Sequence, residues 1–217
     1  MGKKVIIAFD GIQYFDAIKD FDIVKSISSI RFRNVSFIFS GSEVGVNRLF
    51  LNEESPLHDR VSEIQLKPFD ERTAIDYLED GFLQYNIIFR NADKIYEELG
   101  GNPGWLTGYG IEIMNGEFQD ALKKVKEIAK DLLRKELESF LDGKKEKDVY
   151  LKVLKTCKDG CTLDDVAQTL SKIKGKEVEK ENTQKIINEL ERFSLLIKDD
   201  KNNKKYILGD KILKDII

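Results

Sequence analysis

Asp10 stands at the end of the apolar run Val5–Phe9, in VIIAFDGIQYF, and Gly11 follows where a second acid would complete a carboxylate pair. A lone carboxylate at a strand tip has two uses. It accepts a hydrogen bond from a neighbouring backbone N–H, or it holds the water shell of a hard cation such as Mg²⁺. With Gly11 beside it, the tip has no second acid to orient an attacking water. A second apolar run, FIFSGS, ends in the hydroxyls of Ser40 and Ser42, and SPLHDR carries Arg60. A phosphate cradle needs a loop of the form G-x-x-x-x-G-K-[ST], whose backbone N–H groups face the anion. The sequence contains none. Cys157 and Cys161 have a spacing that brings two thiols close on a helix turn, but there is no second pair, and the single histidine, His58, is far away. That excludes a four-ligand zinc site, and two free thiols are expected. A third chemistry is contact with phosphates. ENTQKIINELERF carries Lys185 and Arg192, and KDDKNNKK carries Lys198, Lys201, Lys204 and Lys205.

The elements that must position these residues follow from the apolar pattern. Val5–Phe9 and Val35–Phe39 read as short parallel strands buried on both faces. Residues 16–30 have helix-like spacing, with Phe21, Val24, Ile27 and Ile30 apolar. VSEIQLKPF alternates apolar and polar, which predicts a third strand over 61–66. Strand, helix, strand, loop, strand is an α/β order. After Pro68 the pattern becomes helical. Asp70 is an N-cap, Gly100 and Gly101 stop a short helix, and Pro103 occupies the first turn of the next. A long amphipathic helix spans 117–141. Gly143 and KKEK form a linker, and three more helical patterns cover 146–157, 162–173 and 181–193. Thr162 and Asp165 resemble a capping box. Strands over 195–198 and 205–208 then flank a polar turn. Three helices followed by a hairpin is the order of a winged helix-turn-helix.

Composition bounds the function class. With 217 residues, 41% hydrophobic and 35% charged, the chain is globular and large enough for more than one domain. Abundant Lys and Glu with little Pro, Met and His suit a thermophile. No apolar run reaches the roughly 18 residues that span a bilayer, and no secretory signal opens the chain; a cytoplasmic protein is expected, with no membrane partner. The net charge of −3 is uneven. Residues 144–217 hold 18 Lys and Arg against 14 Asp and Glu, whereas residues 1–143 hold 18 against 25. A mildly basic tail on an acidic body is compatible with nucleic acid but is not a basic patch.

Taken in order, VIIAFDGIQYF, FIFSGSEVG, SPLHDR, IQLKPFDERTAIDYLEDGF and GGNPGWLTGYG resemble the archaeal ATPase family of the STAND class, relatives of AAA+ proteins. The resemblance covers nearly the whole chain. It implies an α/β plus all-α protein: a partial P-loop NTPase parallel sheet over 1–68, a helical lid over 69–143 and a C-terminal winged helix-turn-helix over 144–217. Asp10 would be the Walker B acid and a Mg²⁺ ligand, with Gln13 matching the family's Gln. Ser40 and Ser42 would occupy the sensor-1 position that reads a γ-phosphate. Arg60 would stabilise transferring charge, and Pro103 would contact nucleotide. ATP and Mg²⁺ are the implied cofactors. The departures imply a truncated or degenerate ATPase, inactive in hydrolysis alone: the P-loop is absent, and Gly11 replaces the family's Glu. A winged-helix protein that binds duplex DNA, with Lys185, Arg192, Lys204 and Lys205 as the contacts, or that serves as a protein-interaction scaffold, is the alternative. Without the P-loop strand the sheet edge is open. That implies a homodimer through that edge, or closure of 61–66 onto the sensor-1 strand.

Overall fold

A short apolar run becomes a strand when a neighbour takes up its backbone hydrogen bonds, and this decides which of the expected strands form. The computed structural model describes residues 3–12, 14, 22–31, 34–41, 46–51, 53–116, 118–199 and 202–217. The chain divides into two units, Met1–Gln65 and Leu66–Ile217.

In the first unit β1 (Val5–Phe9) pairs in parallel with β2 (Val35–Phe39), in register from Val5↔Val35 to Phe9↔Phe39. Phe9, Phe37 and Phe39 stack on one face, and Phe39 continues onto Phe50 at 4.6 Å between ring centroids. Beneath them lies a small core of Ile12, Ile23, Val24, Phe50 and Leu57. Helix α1 (Ile23–Ser28) starts where the Asp22 carboxylate accepts from Lys25 N–H. It is shorter than the pattern over 16–30; residues 15–21 lie outside the described residues.

Two expectations fail here. The strands are not buried on both faces, since Ile6 is 67% and Ile38 56% exposed. Among the described residues nothing covers that face. Nor, among the described residues, does 61–66 form a strand or close onto β2: Ile64 and Leu66 are each 85% exposed. Alternation specifies a face, and without a neighbour's N–H and C=O groups it does not make a ladder.

The second unit is helical until its last third. Asp70 caps α2 (Glu71–Leu83) by accepting from Thr73 N–H at 2.7 Å. Helices α3 (Ala92–Leu99), α4 (Pro103–Met114) and α5 (Ala121–Leu141) complete a block around Leu78, Phe82, Leu99, Leu106, Tyr109 and Val125. The KPF and GGNPG segments meet through backbone: Phe69 N–H donates to Gly101 C=O at 2.8 Å. A Cβ on Gly101 would lie 1.8 Å from the Phe69 carbonyl oxygen, so no other residue fits there.

The remainder is α6 (Lys147–Thr156), β3 (Cys161–Thr162), α7 (Leu163–Lys174), α8 (Lys180–Arg192), β4 (Leu196–Asp199) and β5 (Asn202–Leu208), with strand order β3-β5-β4, all antiparallel. This is a winged helix-turn-helix. The capping box is complete: Thr162 Oγ1 accepts from Asp165 N–H, and Asp165 accepts from Thr162 N–H. Cys157 and Cys161 are not free thiols. They form a buried disulfide that ties the end of α6 to β3, with Cα atoms 4.6 Å apart. The separation of four residues suits a bridge because the turn at Gly160, with φ +89°, folds the chain back. After β5 a 3₁₀ turn (Lys211–Asp215) places Ile212 in the core of the α2–α5 block. Among the described residues no helix is long and apolar enough to cross a membrane.

Candidate functional site

Parallel pairing fixes the carboxyl ends of β1 and β2 side by side. Ser40 N–H donates to Phe9 C=O at 2.8 Å, and Ile12 N–H donates to Ser40 C=O at 3.0 Å. The register therefore brings Asp10 and Ser40, thirty residues apart in sequence, into direct contact. Ser40 Oγ donates to Asp10 Oδ1, and Gly11 N–H donates to the same oxygen at 3.0 Å. Both residues are exposed. Gly11 has φ +69°, a left-handed conformation that a side chain disfavours, and a Cβ there would lie 3.0 Å from Tyr14 Cδ2. Glycine thus sets the turn that leads the chain away from the strand tip.

Arg60 ends a 3₁₀ turn (His58–Arg60), and its guanidinium donates to the Ser28 carbonyl at 3.3 Å. Arg31 donates to the same carbonyl at 2.5 Å. Arg60 thus fastens the turn to the end of α1. Ser42 and Gln13 lie outside the described residues.

In the second unit Pro103 sits exposed in the first turn of α4, behind the Asn102 cap that accepts from Gly104 N–H at 2.9 Å. The polar centre of this segment is a residue that the motifs do not contain. Asp210 Oδ2 accepts from Trp105 Nε1–H at 2.6 Å and from Asn102 Nδ2–H at 3.0 Å, while its Oδ1 accepts from Ile212 N–H at 2.8 Å. One half-buried carboxylate therefore ties the GGNPGW loop to the exit of the winged helix. The signal was an acid directly before an apolar turn, GDKIL, an N-cap pattern.

On α8 Lys185 and Arg192 are exposed, as are Lys204 and Lys205 on β5. The helix also carries an internal network. Glu189 accepts from the Lys144 ammonium and from the Tyr150 hydroxyl, and the Lys144 ammonium lies 5.0 Å from the Phe140 ring centroid. Burial pushes the Glu189 carboxyl up, but the bonds from Lys144 and Tyr150 together outweigh it and leave it below its ordinary value. Burial first, and then Glu189, push the Tyr150 phenol well above its ordinary value. Lys180 pairs with Asp164 at 3.1 Å. Among the described residues no three His, Cys, Asp or Glu converge on a metal position.

The described residues thus combine a short parallel sheet with an acid and a hydroxyl at its carboxyl end, a capped helical block and a winged helix-turn-helix domain. Residues 1–108 match the family model of an ATPase domain found predominantly in Archaea. Residues 144–207 match the C-terminal winged helix-turn-helix domain of MCM proteins. Among solved structures the chain is similar to the Walker-type ATPase of Pyrococcus abyssi, at 25% identity and a TM-score of 0.66. That similarity covers 98% of this chain and 63% of the other, so this chain spans less than two thirds of its relative's length. No curated protein matches.

Proposed function

We propose that the chain is the Walker B and sensor-1 portion of an archaeal-type ATPase, with a helical lid over 69–143 and a winged-helix arm over 144–217. On this reading these residues bind ATP weakly or not at all and do not hydrolyse it unaided. The observation that carries it is the contact at the strand tips: Asp10 Oδ1 is taken up by Ser40 and Gly11, and the next residue is a glycine at φ +69°. The family points to ATP and Mg²⁺ in general, and the donor set tests that expectation. Mg²⁺ at a phosphate site takes one or two carboxylates and the substrate's own phosphates. The described residues supply one carboxylate with one oxygen uncommitted, one hydroxyl already donating to it, and no glycine-rich cradle. That set does not suffice to hold Mg²⁺–ATP, and no step is derived through it. Ser42 and Pro103 belong to the same reading as nucleotide contacts, and Arg60 as the cation for transferring charge.

Isothermal titration with ATP, with and without Mg²⁺, tests the proposal together with a phosphate-release assay. Heat below detection and no turnover are expected. Micromolar binding would show that the P-loop is dispensable here. Among the described residues β1 and β2 pair only with each other, and this with exposed Ile6 and Ile38 supports pairing with a second copy, which sedimentation would read as a dimer.

A second reading, duplex-DNA binding by the winged helix, is favoured by the exposure of Lys185, Arg192, Lys204 and Lys205 on α8 and β5. The acidic residues on α8 count against a base-reading role for it.

A further inference from the structure

Between α6 and α7 lies an open cleft of about 330 Å³, lined by Lys152, Lys155, Thr156, Thr169, Lys172 and Ile173. The spacing explains why these residues meet. On each helix they occupy positions i, i+3 and i+4, so each helix turns one stripe toward the cleft. Thr156 Oγ1–H donates to Lys152 C=O at 2.9 Å, and its second contact is with Thr169 Oγ1 at 2.9 Å. Since Thr156 has a single proton and has spent it on the carbonyl, Thr169 is the donor in that pair. Both hydroxyl protons of the floor are therefore used within the protein. The groups left for a ligand are the three lysine ammoniums, and all three residues are exposed.

The surrounding acids do not neutralise them. Asp159 pairs with Lys214, Asp164 with Lys180 and Glu146 with Lys174, and Asp165 is held in the capping box. Asp148, one turn before Lys152 on α6, is the one acid on that stripe. Among the described residues these three lysines have no ion pair, and around a satisfied floor they form a cationic surface in a module whose helix α8 is mixed in charge.

We propose that this α6–α7 cleft docks the phosphate backbone of duplex DNA, in addition to or in place of the α8 face. An acidic protein partner fits less well. Protein interfaces centre on a buried aromatic or aliphatic anchor and are depleted in lysine, whereas this cleft offers lysines around Ile173 alone. Lysine ammoniums are point charges suited to phosphate oxygens, and they carry no base preference. The contact is therefore independent of sequence. It rests on the DNA-binding reading of the winged helix and not on nucleotide binding.

The test is fluorescence anisotropy of the full chain with a labelled 20-base-pair duplex of arbitrary sequence, titrated at several salt concentrations. Three phosphate contacts give a slope of about −2.7 in log K against log salt, so a fourfold rise in salt weakens binding about 40-fold through these residues. Lys152→Ala, Lys155→Ala and Lys172→Ala combined should remove that part of the slope. The three Lys→Arg replacements should retain it, which separates charge from packing. No binding by the unmodified chain would overturn the DNA reading as a whole. Binding that survives the triple alanine variant but is lost in Lys185→Ala, Lys204→Ala, Lys205→Ala would overturn the cleft alone. Failure of the arginine variant, or binding of a polyglutamate peptide in preference to DNA, would also overturn it.

Discussion

Asp210→Ala removes the acceptor that joins the GGNPGW loop to the exit of the winged helix. The loss has three parts. The N-cap bond to Ile212 N–H is worth about 1 kcal/mol. The charge-assisted bonds to Trp105 and Asn102 are worth about 1.5–3 kcal/mol each when buried. The site is half-buried, so each stands at or below the lower end, and the sum is about 3 kcal/mol. For a chain of this size that lowers Tm by roughly 6–12 °C. Trp105 is the only tryptophan, so its emission reports the contact directly during urea unfolding. Trp105→Phe keeps the ring and deletes the N–H donor. A double-mutant cycle between Asp210→Ala and Trp105→Phe should give a coupling of about 1–2 kcal/mol. Two losses that add within about 0.5 kcal/mol would refute the latch.

Three further outcomes are expected. Cys157→Ala with Cys161→Ala should destabilise the winged helix by about 2 kcal/mol, the loop-closure value for a five-residue ring, and Tm compared with and without reductant reads it. Gly11→Glu should cost about 1–2 kcal/mol through its left-handed backbone and give no rise in phosphate release; a clear rise would show that the acid was the missing part. Glu189 and Asp215 are held below their ordinary values, Glu189 against burial by Lys144 and Tyr150, and Asp215 chiefly by its bond to Lys130. A carboxyl with a depressed folded pKa stabilises fully above its unfolded value and loses that contribution as pH falls through the folded one. The urea midpoint should therefore drop below about pH 4.5, the ordinary value for Glu, and Glu189→Gln should flatten part of the drop. An unchanged profile in that variant would remove Glu189 from the network.

Much of the helical architecture could be read from local signals, because capping is a local event. Asp70, Pro103 and the Thr162–Asp165 pair each mark a helix start within four residues of sequence, and each holds in the structure. The β1 and β2 bounds were legible because their apolar runs are short and end in polar residues. What depends on a partner element was not legible. The alternation over 61–66 looked like a strand, yet a strand needs a neighbour. The Cys157–Cys161 bridge depends on the turn at Gly160, and spacing alone read as two thiols. At the candidate site the sequence named Asp10 and Ser40 separately, and only the parallel register places one on the other. Asp210 went unnoticed because its partners, Asn102 and Trp105, lie more than a hundred residues upstream.

The insertion of Ile212 into the α2–α5 block has a consequence for synthesis. The last helix of that block ends at Leu141, roughly 70 residues before the side chain that completes its core. At about 5–20 residues per second, the block waits about 4–14 s on the ribosome with a gap in its interior. The last strand of the winged helix ends at Leu208, four residues before Ile212, so the winged helix is completed just before its closing turn plugs the earlier block. The order of manufacture thus runs against the order of completion: the helices made first are finished last.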